Sequence, residues 1–276
     1  MPFGLPERED EQRLTYGGYL KIHELIGLQQ LRSEPTQHDE TLFIIVHQVY
    51  ELWFKQLLHE LDTIIERLNN DETLVAHRLL RRCIEIERLL ISQVAVLETM
   101  TPTDFLAFRD HLRPASGFQS FQFREIEYIS GLKDPRFLKN YDEGGEARRR
   151  LTARLAAPSV LDAFYDLLRR RGFDLPADEA GADNGPAHER RVRELLRIYE
   201  DAENYYGLFL LAESLVEYDE MFAMWRLRHV KMVERMIGTK SGTGGSEGAA
   251  YLHKTVERKF FPELWEVRNY LGATRE

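Results

Sequence analysis

The chain has 276 residues, of which 43% are hydrophobic and 11% aromatic, so it can bury a substantial core in one or two domains. Its 37 Lys and Arg residues against 46 Asp and Glu residues give a formal charge of -9, which disfavours nucleic acid as a partner. The single cysteine, Cys83, excludes an internal disulfide and a cysteine-based metal cluster, and it favours a cytoplasmic protein.

The N-terminal stretch MPFGLPEREDEQR is polar and acidic, and it lacks the apolar core of a secretory signal. No apolar run elsewhere in the chain approaches the length of a membrane span. We therefore expect a protein that has no membrane partner.

Apolar residues recur at helical spacing along almost the whole chain, whereas strand-like alternation is missing from the sequence, so the pattern predicts an all-α fold. In chain order, the predicted helices span 19–28, 40–68, 72–100, 102–109, 119–129, 135–138, 148–155, 160–170, 189–237 with a possible break, and 249–270. A stretch rich in Pro, Gly, Asp and Ala, 173–189, predicts a loop. We expect one domain over residues 1–276, with a small helical excursion at about 148–185.

The predicted helix 40–68 carries the first candidate site. Its residues 42–46 are all apolar, so this part of the helix is enclosed and His47 lies inside the protein. Phe43 precedes His47 by four residues, which puts the ring and the imidazole on one face about one turn apart. The pair is compatible with a core histidine satisfied by a carbonyl, and also with a ligand pocket that has an aromatic wall.

A second aromatic and polar pair occurs in TPTDFLAFRD. Thr101 suits an N-cap and proline follows it at the first helical position, so Phe105 and Arg109 fall one turn apart on one helical face. An arginine in this position either remains in water or enters a pocket to bind a carboxylate through two hydrogen bonds. The residues alone leave both interpretations open.

The third candidate is His229, which lies beside an apolar stripe of Met, Trp, Val and Ile residues on the predicted helix that ends near Gly238. Such a histidine is often an ordinary surface residue. A neutral imidazole on a rigid helix can also be the axial ligand of a haem iron. The neighbouring Arg226, Arg228 and Lys231 could then meet propionates or simply face water.

The glycine-rich stretch SGTGGSEG, 241–248, follows this helix. Thr239 stands before Lys240 where a phosphate-binding loop requires glycine, which argues against a nucleotide site. A plain linker and a lid that presents Thr243 are both compatible with the stretch. No histidine in the sequence completes a Glu-x-x-His or His-Glu-x-x-His pattern, so any metal is expected within a noncovalent cofactor.

Five segments together resemble the tryptophan 2,3-dioxygenase family, in order and over nearly the whole chain. They are LTYGGYLKIHEL, HDETLFIIVHQVYELWFKQLLHEL, LETMTPTDFLAFRDHLRPASGFQSFQFREIEY, WRLRHVKMVERMIGTKSGTGGSEG and FFPELWEVR. The resemblance is weakest over about 140–201. It implies an all-α bundle that encloses a noncovalent haem b, with ferrous iron in the active form.

The resemblance also implies roles for individual residues. His229 is then the axial ligand of the haem iron, and His47 is the catalytic histidine that binds the indole N–H. Phe43 lines the indole pocket, Arg109 binds the substrate carboxylate, and Thr243 contacts the ammonium and carboxylate groups.

Further implied positions surround this pocket. Phe105 is a substrate-binding position where some family members have tyrosine, so the hydroxyl of that tyrosine is missing from this chain. Ser116 and Gly117 resemble the segment at the haem edge and propionates.

The family resemblance implies a homotetramer with exchanged N-terminal segments. Tyr16, Tyr19 and Leu20 would then come from a neighbouring subunit and complete the substrate pocket.

The implied reaction inserts both atoms of O₂ across the indole C2–C3 bond of L-tryptophan and gives N-formyl-L-kynurenine, the first step of tryptophan catabolism by the kynurenine pathway. The alternatives are an indoleamine-type dioxygenase of broader specificity, a haem-binding sensor, and a helical scaffold without activity.

Overall fold

The computed structural model describes residues 14–176, 185–240 and 249–272. These described residues form twelve α-helices and four short 3₁₀ helices, and they contain no strand. The α-helices are α1 Tyr16–Leu20, α2 Ile22–Ile26, α3 His38–Asn69, α4 Thr73–Leu97, α5 Pro102–Arg109, α6 Phe121–Ser130, α7 Glu146–Ala156, α8 Val160–Arg170, α9 Pro186–Glu200, α10 Tyr206–Ile237, α11 Ala249–Val256 and α12 Pro262–Glu266. The 3₁₀ helices are Asp110–Leu112, Gly117–Gln119, Pro135–Asn140 and Val267–Asn269. The all-α prediction is confirmed for the described residues.

Local capping signals explain why two helices have the predicted bounds. Both α5 and α8 begin with a capping box, formed by Thr101 with Asp104 and by Ser159 with Asp162. In each box the N-cap hydroxyl accepts from a backbone N–H of the first turn, and the carboxylate accepts from the N-cap backbone N–H. Backbone donors that have no intrahelical partner are thus satisfied within four residues of sequence.

Two predicted helices are interrupted, so their prediction as single elements is wrong. The helix expected at 19–28 is divided into α1 and α2 by Lys21, whose backbone adopts a left-handed conformation with φ 54°. The helix expected at 249–270 is divided into α11 and α12. Pro262 has no N–H to donate and keeps Phe261 out of the helical conformation, so a new helix begins at the proline.

The long helices α3, α4 and α10 pack side by side and provide most of the main core. Leu61, Leu80 and Leu215, one from each of these helices, are completely buried. Helix α8 also packs against α3, and its Phe164 and Leu167 belong to the same core. The described part of 148–185 therefore contacts the bundle directly, while the organisation of the chain as one domain stays a prediction.

The described helices include none that is both long enough and apolar enough to span a membrane. The longest of them, α3 and α10, each have 32 residues and carry charged side chains along their length.

We predict that replacing Leu80 with alanine destabilises the fold by about 2–5 kcal/mol, because a completely buried leucine leaves a cavity that its neighbours fill only in part. Urea unfolding measures this change in the free energy of unfolding. Leu74→Ala is the matched control, since Leu74 lies on the same helix but is 63% exposed. Equal losses in the two variants would contradict the assignment of Leu80 to the core.

Candidate functional site

A cavity of about 290 Å³ lies between α3, α5, α6, α10 and α11. Most of its wall is apolar and aromatic, which is typical of sites for small organic ligands. Seven predicted site residues line it: Phe43, His47, Phe105, Arg109, Ser116, Gly117 and His229. The structure thus brings together residues that the chain separates by as many as 186 positions.

His47 presents one nitrogen of its ring to the cavity. Its Nδ1 lies 2.7 Å from the carbonyl oxygen of Phe43, one turn earlier on α3. Because a carbonyl oxygen can only accept, Nδ1 carries the proton, and in the neutral ring Nε2 then has a free lone pair. His47 is therefore arranged to accept a hydrogen bond from a ligand in the cavity.

The surroundings of His47 also favour its neutral form. Burial lowers the pKa of His47 below its usual value, although the hydrogen bond to Phe43 and the nearby Glu51 carboxylate act in the opposite direction. The Phe43 ring lies against the imidazole, with 4.1 Å between ring centroids and 36° between planes. The ring thus holds the imidazole from one side.

Two phenylalanines, Phe43 and Phe105, form an aromatic wall next to His47, and the buried Phe108 packs behind them. Phe43 and Phe105 are stacked, with their centroids 5.7 Å apart, and Phe108 meets both rings edge-on at 5.6 and 5.5 Å. Offset and edge-to-face contacts of this kind are the favoured geometries of aromatic pairs. The wall therefore has a defined shape that suits a planar ring.

Arg109 ends helix α5 and lines the cavity, with only 7% of its surface exposed. Of the two interpretations that the sequence leaves open, the geometry agrees with the arginine inside a pocket. A buried guanidinium presents several N–H donors in a rigid plane and suits a carboxylate ligand.

His229 lines the cavity from α10. Its ring is stacked on the Trp225 ring one turn earlier, with 5.5 Å between centroids and 8° between planes. Burial, together with the nearby His47, lowers the pKa of His229 to about 4. No hydrogen bond to its ring from the described residues is found, so this neutral imidazole can offer a lone pair to a metal.

Ser116 and Gly117 form another edge of the cavity, at the start of the 3₁₀ helix Gly117–Gln119. The backbone N–H of Ser116 donates to the Gln119 side chain, which fixes this turn. A side chain at Gly117 would project into open space, so the edge has room for a bulky group next to the backbone.

A buried ion pair in the cavity wall is missing from the sequence-based prediction. Arg226 donates to the Glu127 carboxylate over 2.9 Å, and Arg124 also pairs with Glu127. All three side chains are at most 5% exposed, and all three line the cavity. The only signal in the sequence is that these charges occur within apolar helical patterns, which does not identify their partners.

The remaining predicted residues lie elsewhere. Tyr16, Tyr19 and Leu20 do not line the cavity of their own chain, and they are 78%, 71% and 42% exposed. Thr243 and the glycine-rich stretch 241–248 lie outside the described residues.

The fold and the cavity define an all-α protein with a pocket for an aromatic ligand between its long helices. The sequence model of a family, described as tryptophan 2,3-dioxygenase, matches residues 5–173 and 189–271. The chain belongs to the tryptophan 2,3-dioxygenase family.

Relatives with this name come from several bacteria. A tryptophan 2,3-dioxygenase from a Nocardioides species is 47% identical over 270 residues, which cover 95% of this chain and 97% of the relative. One from Herpetosiphon aurantiacus is 46% identical over 93% of this chain and 98% of its own length. One from Xanthomonas oryzae pv. oryzae is 43% identical over 95% of this chain and 90% of its own length.

We predict that His47 is neutral near pH 7, with its proton on Nδ1, and titrates below its usual pKa of about 6.5, because the protein atoms packed around its ring desolvate the charged form although the ring faces the open cavity. The unfolded chain then binds a proton near pH 6.5 that the folded protein does not bind. Lowering the pH below this value therefore reduces the free energy of unfolding. Nitrogen-15 NMR of the imidazoles tests this, with His47→Gln as the assignment control. A pKa at or above 6.5 would contradict the prediction.

Proposed function

We propose that this protein is a haem-dependent dioxygenase that inserts O₂ across the indole C2–C3 bond of L-tryptophan to give N-formyl-L-kynurenine. One observation carries the proposal. In a chain of the tryptophan 2,3-dioxygenase family, three helices bring His47, Arg109 and His229 to a single aromatic cavity. The reaction would be the first step of tryptophan catabolism by the kynurenine pathway.

The cavity residues fit a noncovalent haem b. His229 has a neutral imidazole held against Trp225, so it would hold the haem iron through its lone pair. Ser116 and Gly117 would lie at the haem edge, where the backbone leaves room for a large group. When bound, ferrous haem supplies the oxygen chemistry that protein side chains lack.

The protein itself would bind and orient tryptophan. The indole ring would lie in the slot formed by Phe43 and Phe105, and its N–H would donate to Nε2 of His47. Arg109 would bind the carboxylate. A substrate without a carboxylate would lose this charge-assisted contact with the buried guanidinium.

In this geometry His47 would act by positioning. The N–H at Nδ1 already makes a hydrogen bond to the Phe43 carbonyl oxygen. Nε2 can therefore accept a hydrogen bond from the indole N–H while the imidazole keeps its protonation state. Phe105 has no hydroxyl, so water or another group would take any polar role that tyrosine has at this position. We also assign Thr243 to the ammonium and carboxylate of the substrate, on the resemblance alone.

The same proposal includes a homotetramer in which N-terminal segments are exchanged. Its support is the exposure of large side chains on α1, where Tyr16, Tyr19 and Leu20 are all exposed. Exposed tyrosines and leucines of this kind suit an interface, where they would complete the pocket of a neighbouring subunit.

The first test is turnover by the purified, haem-loaded protein after anaerobic reduction. We expect N-formyl-L-kynurenine only when both L-tryptophan and O₂ are added, and we expect His229→Ala to lose the Soret band of bound haem. His253→Ala is the matched control, because that histidine is exposed and paired with Glu234. A Soret band that responds to oxygen or tryptophan without product would instead indicate a sensor.

A second prediction concerns Arg109. Replacing it with glutamine should lower kcat/KM for L-tryptophan by roughly 10²–10³-fold, equivalent to about 3–4 kcal/mol, because the buried charge contact with the carboxylate is lost. Tryptamine lacks this carboxylate, so any turnover of it should change little. Arg113→Gln is the control, since Arg113 is 56% exposed and pairs with Asp110. Equal losses for both substrates would contradict the assigned contact.

A further inference from the structure

Glu87 is a fully buried carboxyl group on α4, outside the set of residues that line the cavity. Neither of its oxygens has a hydrogen-bond partner among the described residues. A carboxyl group without any partner is costly to bury, so it is rarely retained in a core without a specific reason.

Two residues of α10 near Glu87 also have buried polar atoms without a hydrogen-bond partner among the described residues. Asp219 and Arg226 both interact electrostatically with Glu87, and each has one buried polar atom without a hydrogen-bond partner. These atoms are Oδ1 of Asp219 and Nε of Arg226. The α4–α10 interface therefore holds four such atoms: two carboxyl oxygens of Glu87, one of Asp219 and the Nε of Arg226.

The other polar atoms of Asp219 are fully used. Its Oδ2 accepts from the backbone N–H groups of Phe260 and Phe261, at 2.9 and 3.2 Å, and from the indole Nε1 of Trp265 at 3.0 Å. Burial raises the pKa of Asp219, but its three donors and the nearby Arg226 act in the opposite direction and favour the carboxylate, whereas Glu87 accepts no donor from the described residues. Of the two carboxyl groups, Asp219 is therefore the one whose ionised form the protein supports, and Glu87 is the one that burial favours as a neutral acid.

We infer that Glu87, Asp219 and Arg226 bind ordered internal water, and that the neutral Glu87 carboxyl donates to this water. Buried water in proteins typically makes about three hydrogen bonds to polar groups that are otherwise unsatisfied. Here Glu87 can donate from one oxygen and accept at the other, Oδ1 of Asp219 can accept, and Nε of Arg226 can donate. Burial raises the pKa of Glu87 well above its usual range, which agrees with a protonated acid.

This water site would make Glu87 a positioning residue for the cavity wall. Arg226 lines the cavity, donates to Glu127, and donates through Nη1 to the carbonyl oxygen of Arg258 at 2.9 Å. Asp219 holds the chain at Phe260 and Phe261 through its other oxygen. The water would thus link α4 to the α10 side chains that fix the segment after α11, and Thr255 of α11 lines the cavity.

Two other polar groups lie near Glu87, but neither of them makes a hydrogen bond to it. The hydroxyl of Tyr218, on α10, pairs with the Ser130 hydroxyl of α6 at 2.9 Å. Cys83 lies one turn before Glu87 on α4 and is completely buried. Neither residue hydrogen-bonds to Glu87, so neither of them replaces the water that we infer.

Two measurements test the water site without reference to activity. A high-resolution crystal structure of the haem-loaded protein should contain a water within hydrogen-bond distance of Glu87 and of Asp219 or Arg226. Infrared spectroscopy should show the carbonyl stretch of a protonated carboxylic acid that shifts in D₂O and is lost in Glu87→Gln. Glu85→Gln is the control, because Glu85 is 59% exposed on the same helix and should leave the band unchanged.

The absence of this water from the crystal structure, or a carboxylic acid band that persists in Glu87→Gln, would overturn the inference. A direct hydrogen bond between Glu87 and Asp219 in that structure would overturn it as well.

The positioning role is tested by two variants, and this part rests on the proposed function. Glu87→Gln keeps a neutral donor and acceptor, so KM for L-tryptophan should stay within about twofold of the wild type. Glu87→Leu removes the donor and the acceptor, so KM should rise by about tenfold because the cavity wall at Arg226 is displaced. The unfolding midpoint of this variant should be unchanged. Equal KM values in the two variants would refute the role. If the wild type had no turnover, the proposed function would fail while the crystallographic and infrared tests still decided the water site.

Discussion

The wall of the cavity depends on the ion pair between Glu127 of α6 and Arg226 of α10. Both side chains are almost completely buried, and Glu127 also pairs with Arg124. Loss of Glu127 would leave both guanidiniums without this carboxylate in a desolvated region, which costs about 3–5 kcal/mol. Arg226 also donates to the carbonyl oxygen of Arg258. One guanidinium therefore fixes two helices and the segment after α11 around the cavity.

Aromatic packing gives the His229 side of the cavity its rigidity. Trp225 is stacked on His229, and Tyr50 and Phe54 of α3 meet Trp225 edge-on, both at 6.1 Å between centroids. The stacked Trp225 ring restricts rotation of the His229 imidazole and keeps water away from that face of the ring. Rigid side chains of this kind hold a site in one geometry before a ligand binds. The contacts join α3 to α10, the same helices that carry His47 and His229.

The sequence predicts the parts of the site that depend on contacts within one helix. Phe43 with His47 and Phe105 with Arg109 are separated by four residues, and helical geometry alone brings each pair together. The pairing of Glu127 with Arg226 joins residues 99 positions apart, so local spacing carries no information about it. The sequence leaves open whether Arg226 faces water, and only the packing of α6 against α10 answers that question.

Two observed helix boundaries differ from the predicted ones, because apolar spacing does not report the backbone conformation at a single residue. The break at Pro262 is signalled in the sequence by the proline itself, yet the apolar spacing continues across it and predicts one helix. The left-handed turn at Lys21 has no such signal, because lysine rarely adopts that conformation. Periodicity thus identifies which residues face the core, but it does not detect where the backbone changes direction.

Enclosure of the cavity also explains why it can contain two histidines beside several arginines. Arg109, Arg124 and Arg226 line the cavity together with Glu51 and Glu127, and a protonated imidazole would add a further positive charge to this wall. Burial lowers the pKa values of His47 and His229, and a charge on His47 would further oppose protonation of His229. Both rings therefore keep a lone pair. The apolar wall that shapes the cavity for an aromatic ligand is thus also what maintains the two imidazoles in the form that can accept a hydrogen bond or bind iron.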